Sequence, residues 1–258
     1  MKYYVVDAFT EEVFGGNPAG VCVLTESLSQ EKMQKIASEN NLSETAFVQQ
    51  KDGYYDLKWF TPVSEIDLCG HATLATAFVI SNFVELDAQR MEFHTLSGKL
   101  VVEKKKDLLE MDFPSRMPQK RGELDMMAEI LGVMPKEVYL SRDWVVLLES
   151  EEEVRGLTPD FTKMRELKEG LGVIVTAKGN TADFVSRCFY PEMGVPEDPV
   201  TGSAHSNLIP FWAQKLGKEE LLAYQLSARG GVLYCKNCGE RVKISGKAVL
   251  YMIGEILV

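Results

Sequence analysis

The chain has 258 residues, 45% apolar and 26% charged, and its 28 basic against 38 acidic side chains leave a formal charge of −10. That apolar fraction can build a core and excludes wholesale disorder. The acidic balance disfavours nucleic acid and anionic membrane as partners and leaves a small anionic molecule in a local pocket as the ligand to expect.

No apolar run approaches the roughly 20 residues of a bilayer span. The opening MKYYVVDAF alternates as a strand and lacks the apolar stretch of a secretion signal. Five cysteines suit a reducing compartment better than a disulfide framework. A cytoplasmic protein is expected.

Taken along the chain, Tyr3 to Asp7 and Gly20 to Leu24 read as Val-rich strands, with Gly15-Gly16-Asn17-Pro18 as the turn or loop between them. Ser29 caps a helix over Gln30 to Glu39. Thr45 to Gln49 and Leu57 to Thr61 are further strands. Ala72 to Ser81 is apolar on every side and reads as a buried helix. Arg90 to Thr95, Leu100 to Glu103 and Leu108 to Phe113 are strands again. Pro114 to Gly122 holds two prolines, basic residues and a glycine, and is the best linker candidate. A short helix follows near Leu124 to Leu131. Strands are expected near Trp144 to Leu148, Gly172 to Thr176 and Asp183 to Phe189. A second apolar helix spans Ala204 to Leu216, and Val232 to Cys235 and Arg241 to Ile244 form a hairpin.

The chain repeats itself. Gly202 lies 132 positions after Gly70, and Ala228-Arg229-Gly230 lies 132 positions after Leu96-Ser97-Gly98. Phe60-Thr61-Pro62 before the first glycine matches Phe189-Tyr190-Pro191 before the second. A period this long is outside the solenoid range and implies two similar lobes. The expected fold is α+β, with residues 1–115 as the amino-terminal lobe and 116–258 as the carboxy-terminal lobe. The last strand, near 248–258, is a candidate to rejoin the first lobe.

Both repeats run from a glycine loop into a helix: Leu68-Cys69-Gly70-His71-Ala72 and Asp198-Pro199-Val200-Thr201-Gly202-Ser203-Ala204. Helix starts present unpaired N–H groups and a positive dipole end, and glycine lets a ligand come close to the backbone. Two such starts could hold an anion or stabilise a developing enolate. Alternatively, they are two ordinary helix starts, with Thr201 or Ser203 serving as caps.

His71 stands at the first helix start. The dipole would depress its pKa and favour the neutral ring; capping its own helix is the plainer role. His205 is expected to pack on a helix face, and His94 to be structural. Glu44 opens a strand among Asn, Ser and Thr, where partial burial would make it a base competent near neutrality. Asp198 could orient a polar substrate group or start a turn. Cys235-Lys236-Asn237-Cys238 has no second ligand pair for a structural metal, so incidental thiols on a hairpin are expected. Cys22 and Cys188 fall in strands as small core residues.

These segments together resemble the phenazine-biosynthesis PhzF-like proteins. The resemblance rests on Val6-Asp7-Ala8-Phe9-Thr10 with Phe14 to Gly20, Asn41 to Phe47 around Glu44, Trp59-Phe60-Thr61-Pro62 with Leu68 to Thr73, and Gly194 to His205. It spans nearly the whole chain. It implies a diaminopimelate epimerase-like fold: each lobe a β-barrel-like sheet around a central apolar helix, with the active site in the cleft between lobes. It also implies an isomerase without metal or organic cofactor, commonly a homodimer. By that resemblance Glu44 moves a proton, while His71, Asp198, Gly70, Ala72, Gly202, Ser203 and Ala204 hold and polarise the substrate.

Racemases of the same fold use two opposed thiols. Here Cys69 has Thr201 as its repeat mate, and a hydroxyl is far too weak an acid to replace a thiol. A single carboxyl shuttle is therefore preferred. A two-base amino-acid racemase or epimerase and a non-catalytic small-molecule-binding homologue are the alternatives.

Overall fold

The computed structural model describes residues 1–258, and the chain divides into two compact units, residues 1–112 with 245–258 and residues 113–244. In each, an apolar segment behind a glycine loop becomes a buried helix that joins two parallel strands.

In the first unit, β1 (Lys2–Ala8) and β2 (Asn17–Leu24) pair antiparallel, Ala8 opposite Asn17. Asn17 and Pro18 thus belong to a strand, not to the turn expected there. The proline stands at the strand's start, where its missing N–H is tolerated. The true turn is earlier, where Gly16 takes φ +60 against the Ala8 carbonyl. Helix α1 (Gln30–Asn40) starts at Ser29, whose hydroxyl accepts from the Lys32 amide at 3.3 Å, and ends at left-handed Asn41. It buries Met33, Ile36 and Ala37 and carries the chain to β3 (Glu44–Gln50), parallel to β2 with Ala19 opposite Glu44. β4 (Tyr55–Phe60) returns antiparallel, and the short β5 (Glu65–Ile66) pairs with its end.

Helix α2 (Gly70–Val79) is buried along nearly its whole length and packs on β1, β2 and β3. The two threonines on it hide their hydroxyls by donating to the Cys69 and Ala72 carbonyls one turn back. A π-helical turn, Ile80–Val84, closes it. β6 (Arg90–Thr95) then runs parallel to β4, and β7 (Gly98–Lys105) and β8 (Leu108–Pro114) follow as antiparallel neighbours. Tyr3, Val5, Cys22, Phe47 and Phe60 make part of this core.

The second unit repeats the order. The segment expected as a linker contains β9 (Gln119–Arg121), and α3 (Leu124–Leu131) ends at left-handed Gly132. β10 (Glu137–Leu140) pairs with β9 and with β11 (Trp144–Leu147). The short helices α4 (Glu151–Gly156) and α5 (Phe161–Met164) cross over to β12 (Val173–Lys178), parallel to β11. β13 (Phe184–Tyr190) returns antiparallel, flanked at its end by β14 (Val195–Asp198). The buried helix α6 (His205–Leu216) then leads to β15 (Glu220–Gln225), parallel to β13, and to antiparallel β16 (Gly231–Cys238).

Hairpin, crossover, parallel strand, antiparallel strand, buried helix and parallel strand thus occur in the same sequence in both units. β17 (Arg241–Gly246) follows, and β18 (Ala248–Glu255) pairs with β1. Val146, Val175, Val185 and Phe189 lie at the heart of the second core. No helix is long and apolar enough to cross a membrane.

Candidate active site

The first unit brings Glu44, His71, Cys69 and Asn17 together. Glu44 is the first residue of β3, Asn17 the first of β2, and both strands lie against the α2 start where Cys69 and His71 stand. The Glu44 Oε2 atom is 3.0 Å from His71 Nε2, with the imidazole buried and the carboxylate side chain 15% exposed. The contact is close but poorly aligned for a hydrogen bond, so Oε2 keeps accepting capacity for a further partner. Asn17 Nδ2 lies 3.2 Å from His71 Nδ1. In the imidazolium both ring nitrogens carry a proton, so Nε2–H faces the carboxylate. Cys69 Sγ is 3.5 Å from Nδ1 and 4.0 Å from Nε2.

Charges this close overturn the dipole argument for His71. Burial works against the imidazolium, but the Glu44 carboxylate 3.0 Å away outweighs it and holds the ring well above the ordinary histidine value. Burial pushes the Cys69 thiol up, with the Glu44 charge adding to it. At neutral pH this sulfur is a protonated thiol, a poor nucleophile and a poor metal ligand. Glu44, Cys69 and His71 place their ligand atoms within 4.8 Å of one another and are the chain's one candidate group for a metal ion. Gly70 and Ala72 are buried in the first turn of α2, where no side chain caps the helix. Their N–H groups precede the first helical bond, from the Thr73 amide to the Cys69 carbonyl.

The second unit holds Asp198 and its glycine loop. Asp198 ends β14 and accepts the Thr201 hydroxyl on Oδ2 at 2.6 Å. Thr201 therefore ties down the carboxylate instead of capping the helix. Gln225 fixes the same loop three times, accepting from the Thr201 amide at 2.8 Å and donating to the Asp198 carbonyl at 2.8 Å and to the Thr201 hydroxyl oxygen at 3.2 Å. His205 does not merely pack on a helix face; its ring sits 2.8 Å from the Thr201 carbonyl through Nδ1, which must carry the proton. Burial lowers its pKa to about 4, so the ring is neutral. The amides of His205, Ser206 and Asn207 bond to the carbonyls of Gly202, Ser203 and Ala204. The N–H groups of Gly202, Ser203 and Ala204 are thereby left outside the helical ladder. This is the donor array expected of an anion-binding turn.

Other nominated groups stay apart from these clusters. His94 stacks on Tyr54 with ring centroids 4.0 Å apart, at the surface. Cys235 is buried and Cys238 exposed, because residues three apart on a strand face opposite sides. Cys22 and Cys188 are buried strand residues. Sequence reasoning missed Asn17 and Gln225 as parts of these arrangements. Gln225 ends a strand that gave no usable periodicity, and Asn17 looked like turn composition.

Solved structures with this arrangement of strands and helices extend far from this sequence: a probable proline racemase of Agrobacterium radiobacter matches with a TM-score of 0.64 at 8% identity, covering 100% of this chain and 93% of that one. That likeness concerns the fold alone. Nearer relatives define the family. The model of the phenazine biosynthesis-like proteins matches residues 6–254. A PhzF-family protein of Enterococcus faecalis superposes with a TM-score of 0.98 at 50% identity, covering 100% of this chain and 99% of its own. An uncharacterized isomerase of Pseudomonas aeruginosa is 50% identical over 256 residues, 99% of this chain and 98% of its own length. The chain belongs to the phenazine biosynthesis-like, or PhzF, family.

Proposed function

We propose that this chain is a proton-shuttling isomerase acting on a small carboxylic acid, with the Glu44 carboxylate as general base and then general acid. The observation that carries this reading is the Glu44–His71 contact of 3.0 Å at the start of a buried helix. Glu44 Oε2 takes a proton from a carbon made acidic by an adjacent carboxyl group or a conjugated double bond. The resulting enolate-like charge is stabilised by the Gly70 and Ala72 amides and by His71. The carboxyl then returns the proton at another carbon on the same face, moving a double bond. Atoms balance: one C–H bond breaks, one forms, and nothing is oxidised.

In the second unit, Asp198 orients a polar substrate group, and the Gly202-Ser203-Ala204 turn binds an anionic oxygen. Thr201, at the position matching Cys69, gives its proton to Asp198 and is not an acid. This supports one carboxyl over two opposed thiols. The relatives called isomerases share this whole chain length, which supports the reaction class.

The test is a panel of unsaturated and amino carboxylic acids incubated in D₂O, with deuterium uptake read by mass. Wild type incorporates deuterium into at least one of them. Glu44→Gln keeps the side-chain shape but removes the base, and should lower exchange by about 10²–10⁴-fold. Wild-type exchange rates in that variant refute the assignment.

A further inference from the structure

Between β10 and β11, Ser141-Arg142-Asp143 form the tip of a hairpin in the second unit. Asp143 is completely buried and Arg142 is only 25% exposed. The guanidinium grips the carboxylate with Nε at 3.0 Å and Nη2 at 2.9 Å, both on Oδ2. Asn207 on α6 donates to the same oxygen at 3.2 Å. Burial pushes Asp143 up while Arg142 and Asn207 pull against it, and the guanidinium itself does not deprotonate in proteins. The arginine is thus fixed from behind.

From that position Nη2 reaches the Ser203 Oγ at 3.1 Å. Ser203 lies in the very turn whose amides stand outside the helical ladder. A guanidinium has five N–H groups and no acceptor, so the serine oxygen must accept from it. The hydroxyl's single proton is then released for donation away from the arginine. Tyr190, 7% exposed, keeps its hydroxyl beside the same guanidinium.

We propose that Arg142 is a positioning residue that sets the polarity of the Ser203 hydroxyl, so that the turn recognises an oxygen acceptor, favours a carboxylate over a neutral amide, and rejects an ammonium at the same place. Ser203 touches the ligand; Arg142 acts through it. Asp143 anchors the arginine, and Asn207 anchors Asp143 to α6. The inference deepens the proposed function and rests on its assignment of the Gly202-Ser203-Ala204 turn to an anionic oxygen.

The test uses benzoate and its neutral counterpart benzamide as probes, titrated calorimetrically into the full-length protein. Wild type binds benzoate more tightly. Removing a charge-assisted hydrogen bond network, Arg142→Gln weakens benzoate by about ten- to hundredfold and benzamide much less. Ser203→Ala gives a similar loss, and the double variant loses no more than the larger single loss, because both act through one hydroxyl. Arg142→Lys keeps the charge but cannot grip Asp143 and Ser203 at once, so it recovers only part of the loss.

Equal affinity of Arg142→Gln and wild type for benzoate overturns the inference. So do independent, multiplying losses in the double variant, full rescue by lysine, or a wild type that binds no benzoate. If Arg142→Gln does not fold, Arg142→Lys and Ser203→Ala decide the matter, since neither strands the Asp143 charge. Undiminished deuterium exchange in Glu44→Gln refutes the proton shuttle and leaves these binding results standing.

Discussion

The Asp198-to-Ala204 loop should loosen in acid because His205 cannot be charged where it stands. The ring is fully buried, its Nδ1–H holds the Thr201 carbonyl at 2.8 Å, and Nε2 has no partner. Its pKa falls to about 4, against about 6.5 for a free histidine. The unfolded chain therefore binds a proton between these values while the folded chain does not, and stability must drop as pH falls through that window. The contribution is intact above pH 6.5 and lost by pH 4. A difference of about 2.5 units corresponds to roughly 3 kcal/mol, of which about 2.5 kcal/mol is lost between pH 7 and 4.5.

The perturbation that isolates it is His205→Gln, which keeps an N–H able to reach Thr201 and cannot titrate. Urea unfolding of both proteins at pH 7 and pH 4.5 is the assay. Other titrating groups cancel in the comparison. Wild type should lose about 2–3 kcal/mol more than the variant between the two pH values. Parallel losses refute a neutral, proton-refusing His205.

His71 has the opposite sign. Its folded value is raised, so its stabilising contribution is complete below about pH 6.5 and disappears as pH climbs through the raised value. The stability advantage of wild type over His71→Gln should shrink on going from pH 6 to 9; a constant advantage contradicts the pairing with Glu44 and Cys69. Cys69→Ser should keep deuterium exchange within about tenfold of wild type under the carboxyl scheme, whereas near-total loss restores the two-base alternative. At Gly172 an added Cβ would stand 2.2 Å from the Tyr190 ring and 2.5 Å from the Phe189 carbonyl oxygen. Gly172→Ala should therefore cost about 1–3 kcal/mol in urea unfolding. Gly156→Ala meets nothing within 4 Å and serves as the control; equal effects at the two glycines would show that the crowding at Gly172 relaxes freely.

Much of the fold was legible because both buried helices announce themselves. Gly70 to Val79 is largely apolar and His205 to Leu216 is buried from His205 through Ala213, and each follows a glycine loop at a repeat distance that other landmarks share. Arg90 to Thr95 and Leu124 to Leu131 emerge with the predicted bounds. What stayed hidden has particular causes. β15 reads Glu-Leu-Leu-Ala-Tyr-Gln, a pattern as helical as it is extended, and only its pairing with β13 and β16 makes it a strand. β9 sits among prolines and basic residues and exists because β10 offers it an edge. Neither has a local cause that a reading of single segments could find.

The candidate site divides the same way. Glu44 and His71 could be nominated by position at a strand start and a helix start, since those positions follow from local pattern. Their mutual distance could not, because it depends on β3 lying parallel to β2 and α2 crossing behind both. The error over His71 follows directly. A helix dipole contributes about 0.3–1 kcal/mol near an exposed terminus, whereas opposite charges 3–4 Å apart in a dry setting contribute several times that. The helix dipole is the weaker of the two forces at His71, and the neighbouring carboxylate sets the sign. Asn17 shows the complementary limit: two residues of apparent turn, once placed in β2, bring the Asn17 amide to 3.2 Å from His71 Nδ1, beside the Glu44 pair.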